Sequence, residues 1–296
     1  MAPSRRRFLS IAAAACALPG AAMANAQTVR WTGVALGAPA SVTLVGINAI
    51  DARPVFARLE AELARLERIF SLYRADSALV RLNQTGRLAA PPPELLGLLR
   101  LAGRIHAATE GAFDPTVQPL WQALANGADI AAARRCVGWE GVHFDAQDIR
   151  FDRPGMALTL NGIAQGEITD RVAALLGGQG FGDILVDIGE IVARGQRPDG
   201  GPWQAGIARP QGEIVQRVTL SDRALATSAP NGTRLAADQG HIIGPKGQGP
   251  RHSLVSLSAP NAALADGLST ALCLLDGPSA QAAVRRFPGV KIEVIA

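Results

Sequence analysis

Residues 258–275, SAPNAALADGLSTALCLL, read as a helix of apolar and small side chains that nevertheless carries a carboxylate, Asp266, and a hydroxyl, Thr270. Asn261 after Pro260 marks its start, because an asparagine side chain accepts from the free N–H groups of a first helical turn. Leu264, Leu268, Ala271, Leu272 and Leu275 fall on one face and are expected to meet the core. Asp266 and Thr270 stack one turn apart on the opposite face, beside Ala263 and Cys273. Two hard oxygens so placed suit Mg2+ or Ca2+. The competing reading, a face that simply meets solvent, is the commoner one for an isolated Asp-x-x-x-Thr, and the small uncharged neighbours argue only mildly against it.

Working outward, TLNGIAQGEITDR (159–171) reads as a strand, MALTLNG, turning at Asn161-Gly162 into a helix from about Gln165 to Leu176. Ile168, Val172, Leu175 and Leu176 form that helix's apolar stripe, and Asp170 faces away from it. Free N–H groups at a glycine-rich helix start offer a seat for phosphate, with Gly162 and Gly166 allowing close approach. Upstream, 28–46 alternates as two strands around a Gly-Ala-Pro turn, and Leu59, Leu63, Leu66 and Phe70 give an amphipathic helix over 54–70. A further helix is expected near 94–109 and strands at DILVDIG and WQAGIAR, whereas 229–252 is rich in Gly, Pro and polar residues and reads as a long loop. Strands and helices without regular βαβ alternation indicate an α+β class.

Three other places can carry chemistry. Tyr73, the single tyrosine, sits near a helix end where its ring can stack on a planar group. Asp114 lies in GAFDPTV, a turn with a cap. Thr227, Ser228 and His241 border the long loop, and His241 is a candidate proton carrier.

The chain has 296 residues and is 48% hydrophobic, enough for a full core. Residues 1–26 read as an export leader: Arg5-Arg6-Arg7-Phe8-Leu9, then an apolar run to Leu18 and A-x-A sites. The arginine pair matches a twin-arginine signal, which implies a periplasmic protein. Removing the leader's three arginines from 29 basic residues leaves 26 against 25 acidic ones, so nothing points to nucleic acid. Lys246 and Lys291 are the sole lysines, and neither sits in a phosphate-binding GK[ST] loop. Cys16 has Ala13 where a lipobox has leucine, which disfavours a lipid anchor. Cys136 and Cys273 carry no metal or redox spacing and are expected to be unpaired thiols.

In succession, FSLYRxDSxLxRLN, GxFDPTVxPLW, LNGIAQGxxTDR, LVDIGEI, PWxxGIxxP, ATS, HIIxP and ADGLSTAL resemble the ApbE family of FAD:protein FMN transferases across about residues 28–275. The resemblance implies a single two-lobed α+β flavin-transferase domain over 28–296 that binds FAD and Mg2+. It implies transfer of FMN to a threonine or serine hydroxyl of a target flavoprotein, with release of AMP. The family's ADALAT segment matches Ala265–Thr270, which makes Asp266 and Thr270 metal ligands together with the Ala164 carbonyl. Tyr73, Asp114, Asn161, Gly162, Gly166, Asp170, Thr227 and His241 fall where the family lines the dinucleotide. This chain departs from the family pattern at Gln165 (lysine in GIAKG), Gly244 (aspartate in HIIDP), Asp187-Ile188-Gly189-Glu190 (one glycine short of DIGGE) and Ala229 (glycine in TSG). The LNGIAQG and DIGEI forms are similar to the branch found in nitrous-oxide reductase gene clusters, whose target is a membrane flavoprotein. The same site also suits an FAD pyrophosphatase, with water as acceptor, or a non-catalytic periplasmic FAD-binding protein.

Overall fold

A computed structural model describes residues 15–17, 27–236 and 239–296. The leader lies outside the described residues except for the backbone of 15–17. In chain order the strands are β1 (Ala15–Ala17), β2 (Thr28–Ala35), β3 (Ala38–Val45), β4 (Arg87–Ala89), β5 (Val142–Phe144), β6 (Asp148–Phe151), β7 (Ile184–Asp187), β8 (Ile191–Arg194), β9 (Trp203–Ala208), β10 (Ile214–Leu220), β11 (Arg223–Ser228), β12 (Arg234–Ala236), β13 (Gln239–Gly240), β14 (Val255–Ala259) and β15 (Lys291–Ile295). The α-helices are α1 (Ala49–Phe70), α2 (Ala78–Thr85), α3 (Pro93–Ala108), α4 (Gln118–Asn126), α5 (Ile130–Arg134), α6 (Ala164–Gly178), α7 (Ala262–Leu272) and α8 (Gly277–Val284).

Seven strands form the central sheet in the order β15-β14-β11-β8-β7-β3-β2, and every neighbouring pair is antiparallel. The α+β class follows, because no strand needs a helical crossover to a parallel neighbour. Alternation along the strands sorts side chains between two cores. Val186, Val192, Ala224 and Ala226 join the helices' cluster, while Leu185, Ile191, Ala193 and Leu225 join Trp203, Ile207 and Leu220 of the small β1-β9-β10 sheet. With both faces covered, the central strands are apolar on both sides.

Helix α7 is buried all round, which requires apolar or small residues on every face. The side opposite the leucines packs on α6. Gly166 permits this approach: a methyl group there would lie 2.6 Å from the Ala263 Cα and closer still to the Ala262 carbonyl. The two helices cap one another. Asp266 of α7 accepts from the Gly166 N–H in the first turn of α6 (3.1 Å), and Asp170 of α6 accepts from Ala262 and Ala263 in the first turn of α7 (2.8 and 2.9 Å). Asn261 adds the expected cap on Leu264 N–H (2.9 Å).

Three sequence expectations change. MALTLNG joins no ladder, and its Asn161-Gly162 end is already a turn. The Asn83 side chain pairs with both backbone groups of Leu158 (2.8 Å each), and Thr159 N–H donates to the Pro115 carbonyl (2.8 Å). Helix α1 begins at Ala49 rather than Pro54 because the Asn48 side chain caps Ile50 and Asp51, so the proline falls inside it. The 229–252 stretch contains the β12–β13 pair. Cys136 and Cys273 are both free thiols.

Gly166→Ala should drive α6 and α7 apart and lower stability by about 1–3 kcal/mol. A thermal melt with an unchanged midpoint would show that the contact is not tight.

Candidate functional site

An open pocket lies where the turn into α6, helix α7, the end of β11 and the strap after β13 meet. Tyr73, 56% exposed, stands at its open side, and Asp266, 4% exposed, at its depth. Asp114, Asn161, Gly162, Thr227, His241 and Thr270 also line it. Ala164, Gly166 and Asp170 do not form its wall. Gly166 serves helix packing, and Asp170 borders a separate groove with Arg171 and Arg194. Asp170 spends both carboxylate oxygens on capping the first turn of α7. Ala164 opens α6 between two wall residues, Gly162 and Gln165.

Local chemistry holds each wall residue. Gly162 is needed because a methyl group there would lie 2.8 Å from Thr270 Oγ1. The Asp114 carboxylate accepts from Thr116 N–H and Oγ1 (2.8 and 2.6 Å), and Thr116 Oγ1 accepts from Gly138 N–H (2.7 Å). Thr227 Oγ1 pairs with Ser256 Oγ (2.8 Å). His241 Nδ1 stands 3.2 Å from the Thr233 carbonyl, and Trp121 Nε1–H donates to the His241 carbonyl (3.1 Å). A carbonyl only accepts, so Nδ1 carries the proton and Nε2 keeps its lone pair. Burial lowers the His241 pKa and keeps the ring neutral.

Sequence reasoning missed Glu190. It is 4% exposed, lines the cavity, and accepts from Thr227 N–H (3.3 Å). A glutamate between Ile188 and Ile191 at a strand boundary was the available signal. Gln165 lines the cavity too, on the side of Gly189.

Burial pushes the Asp266 carboxyl up to about 7 against the Gly166 N–H bond, with the Asp170 charge adding to the rise. Glu190 is raised well above its ordinary value by burial and by the Asp266 charge. Two desolvated carboxyls beside a hydroxyl would form, on losing their protons, a hard anionic oxygen set, the donor type that a divalent cation favours. Among the described residues no group of three His, Cys, Asp or Glu side chains is poised as a metal cage. Any cation must therefore draw ligands from hydroxyls, backbone, substrate or water, as Mg2+ sites commonly do.

Burial also lifts Asp170 and Asp187 to about 6. Each of these acids has a folded pKa above its unfolded value, so between roughly pH 4 and 7 the fold binds more protons than the unfolded chain. Stability of the metal-free protein should fall as pH rises through that window. The exposed acids with lowered pKa, such as Asp76 and Asp145, act in the opposite sense only at more acid pH. Melting the metal-free chain from pH 4.5 to 8 should show the midpoint falling, and Asp266→Asn should flatten the slope.

The family model described as "ApbE family" matches residues 36–294. The FAD:protein FMN transferase of Klebsiella pneumoniae (strain 342) is 30% identical over 275 residues, covering 82% of this chain and 77% of that protein. The Salmonella typhimurium protein of the same name is 30% identical over 285 residues, covering 86% and 80%. Among solved structures, the flavin transferase ApbE from Vibrio cholerae superposes with a TM-score of 0.80 at 27% identity, covering 90% of this chain and 93% of its own. The apo flavinyl transferase ApbE of Pseudomonas stutzeri gives 0.76 at 28% identity, covering 88% of each. By sequence across most of its length and by fold, the chain belongs to the ApbE family.

Proposed function

We propose that this protein transfers the FMN part of FAD to a threonine or serine hydroxyl of a target flavoprotein, releasing AMP, with Mg2+ required. The observation that carries this reading is the Asp266–Thr270 pair, held against the Gly162–Gly166 turn and opening on one cavity with Glu190 and His241. Membership in a family whose named relatives are FAD:protein FMN transferases supports the substrate.

Asp266, Thr270 and the Ala164 carbonyl would hold the cation, with the Glu190 carboxylate facing the same space. A divalent cation held by these residues would supply neutralisation of charge on the pyrophosphate. The remaining work falls to the chain. Gly162, in the wall at the entrance to α6, lets the pyrophosphate approach the backbone closely. Tyr73, at the open side, offers a ring face to the isoalloxazine. His241 takes the proton of the acceptor hydroxyl at Nε2 while Thr233 fixes the ring through Nδ1. The acceptor oxygen bonds to the flavin-side phosphorus, the bond from that phosphorus to the bridging oxygen breaks, and AMP leaves with the electron pair.

The leader-like residues 1–26 support export by the twin-arginine route and a periplasmic site of action. Replacing Arg5 and Arg6 with lysine should retain the protein in the cytoplasm, as read by fractionation.

Purified protein, FAD, Mg2+ and a fragment of an acceptor flavoprotein should give a product heavier by one FMN, measured by intact mass. Asp266→Ala should slow this by about a thousandfold or more, and His241→Ala by about a hundredfold or more. Without acceptor, FAD should stay intact; rapid release of FMN and AMP would make water the acceptor and replace this reading with a pyrophosphatase. Wild-type transfer by Asp266→Ala would remove the cation assignment.

A further inference from the structure

Three hydroxyls lie in a row behind the cation seat. Ser269 Oγ is 3.0 Å from the Asp266 carbonyl, Ser228 Oγ is 2.8 Å from Ser269 Oγ, and Thr270 Oγ1 is 3.4 Å from Ser228 Oγ. Ser269 is fully buried, and Ser228 is 7% exposed on the cavity wall. We propose that Ser269, acting through Ser228, directs the Thr270 proton inward and so turns the Thr270 lone pairs toward the cation. The proposal rests on the metal reading above and goes beyond it in assigning two positioning residues.

The direction of each bond follows from counting protons. A carbonyl only accepts, so the single Ser269 proton goes to the Asp266 carbonyl. Ser269 Oγ then has only lone pairs for Ser228, so Ser228 donates to it. Ser228 has no proton left for Thr270, so Thr270 donates to Ser228. Reversing any one step sets either two oxygens lone pair to lone pair, as at the 3.0 Å between Ser269 Oγ and the Asp266 carbonyl, or two protons facing each other, which a buried network does not tolerate.

The arrangement also removes the proton's usual alternative. A helical threonine commonly donates to the carbonyl four residues back, here that of Asp266. Ser269 already occupies that carbonyl. A cation needs a lone pair from its ligand, and an unrestrained hydroxyl would spend part of its time presenting a proton instead. Outer partners of this kind are worth about ten- to a hundredfold in metal affinity.

The test is Mn2+ binding to the full chain, read by loss of the free-ion EPR signal, with Mg2+ binding followed by calorimetry. Ser269→Ala and Ser228→Ala should each weaken binding about tenfold. The double variant should be no weaker than the weaker single one, because the row acts as a unit. In the transfer assay both should raise the Mg2+ concentration needed for half-maximal rate while kcat at saturating Mg2+ is kept. Wild-type Mn2+ affinity in Ser269→Ala, or additive losses in the double variant, would overturn the proposal. If Ser269→Ala proves unstable in a thermal melt, Ser228→Ala decides alone, because its side chain borders the cavity. Full Mn2+ affinity in Asp266→Ala would instead remove the cation reading itself.

Discussion

The structure depends on one contact between two helices. Because residue 166 has no side chain, α6 and α7 approach closely enough for each to cap the other's first turn with an aspartate. The capping bonds offset the cost of burying two carboxylates, since each accepts from backbone N–H groups that would otherwise be unpaired. The bonds do not remove that cost, and both acids remain poised near neutrality. The stress is greater at Asp266, which also shares its cavity with Glu190. An ion of opposite charge would relieve it, so the cation seat proposed above would draw on the same packing that holds the helices together.

The central sheet sets the remaining parts of the cavity around that contact. Strand β11 ends at Thr227 and Ser228, and Glu190 immediately precedes β8, the neighbour of β11. Antiparallel pairing thus brings the end of one strand and the start of the next to the same rim. The strap after β13 delivers His241 from the other side, held by Thr233 and by the Trp121 indole.

Periodicity made much of this legible. The cap at Asn261, the leucine face of α7 and the Asp266–Thr270 stack are local properties of a helix. The ordered run of motifs identified the family, which no single motif could do. What periodicity could not supply were the partners distant in sequence. MALTLNG alternates like a strand, but Asn83, 75 residues away, takes its backbone bonds. Asp170 looks like a surface residue on its own helix until α7 arrives 92 residues later. Small residues fit both a solvated and a tightly packed face, so the second buried side of α7 could not be read from its composition. Glu190 needed the β8–β11 pairing to be placed.

The Trp121 bond has a practical corollary. The chain has four tryptophans, and the indole of Trp121 forms part of the cavity wall while donating to the strap that carries the histidine. With Trp31, Trp139 and Trp203 replaced, its emission alone would gauge occupancy. A flavin seated beside it would quench the fluorescence by energy transfer, and strap movement would shift its colour, with no external label needed.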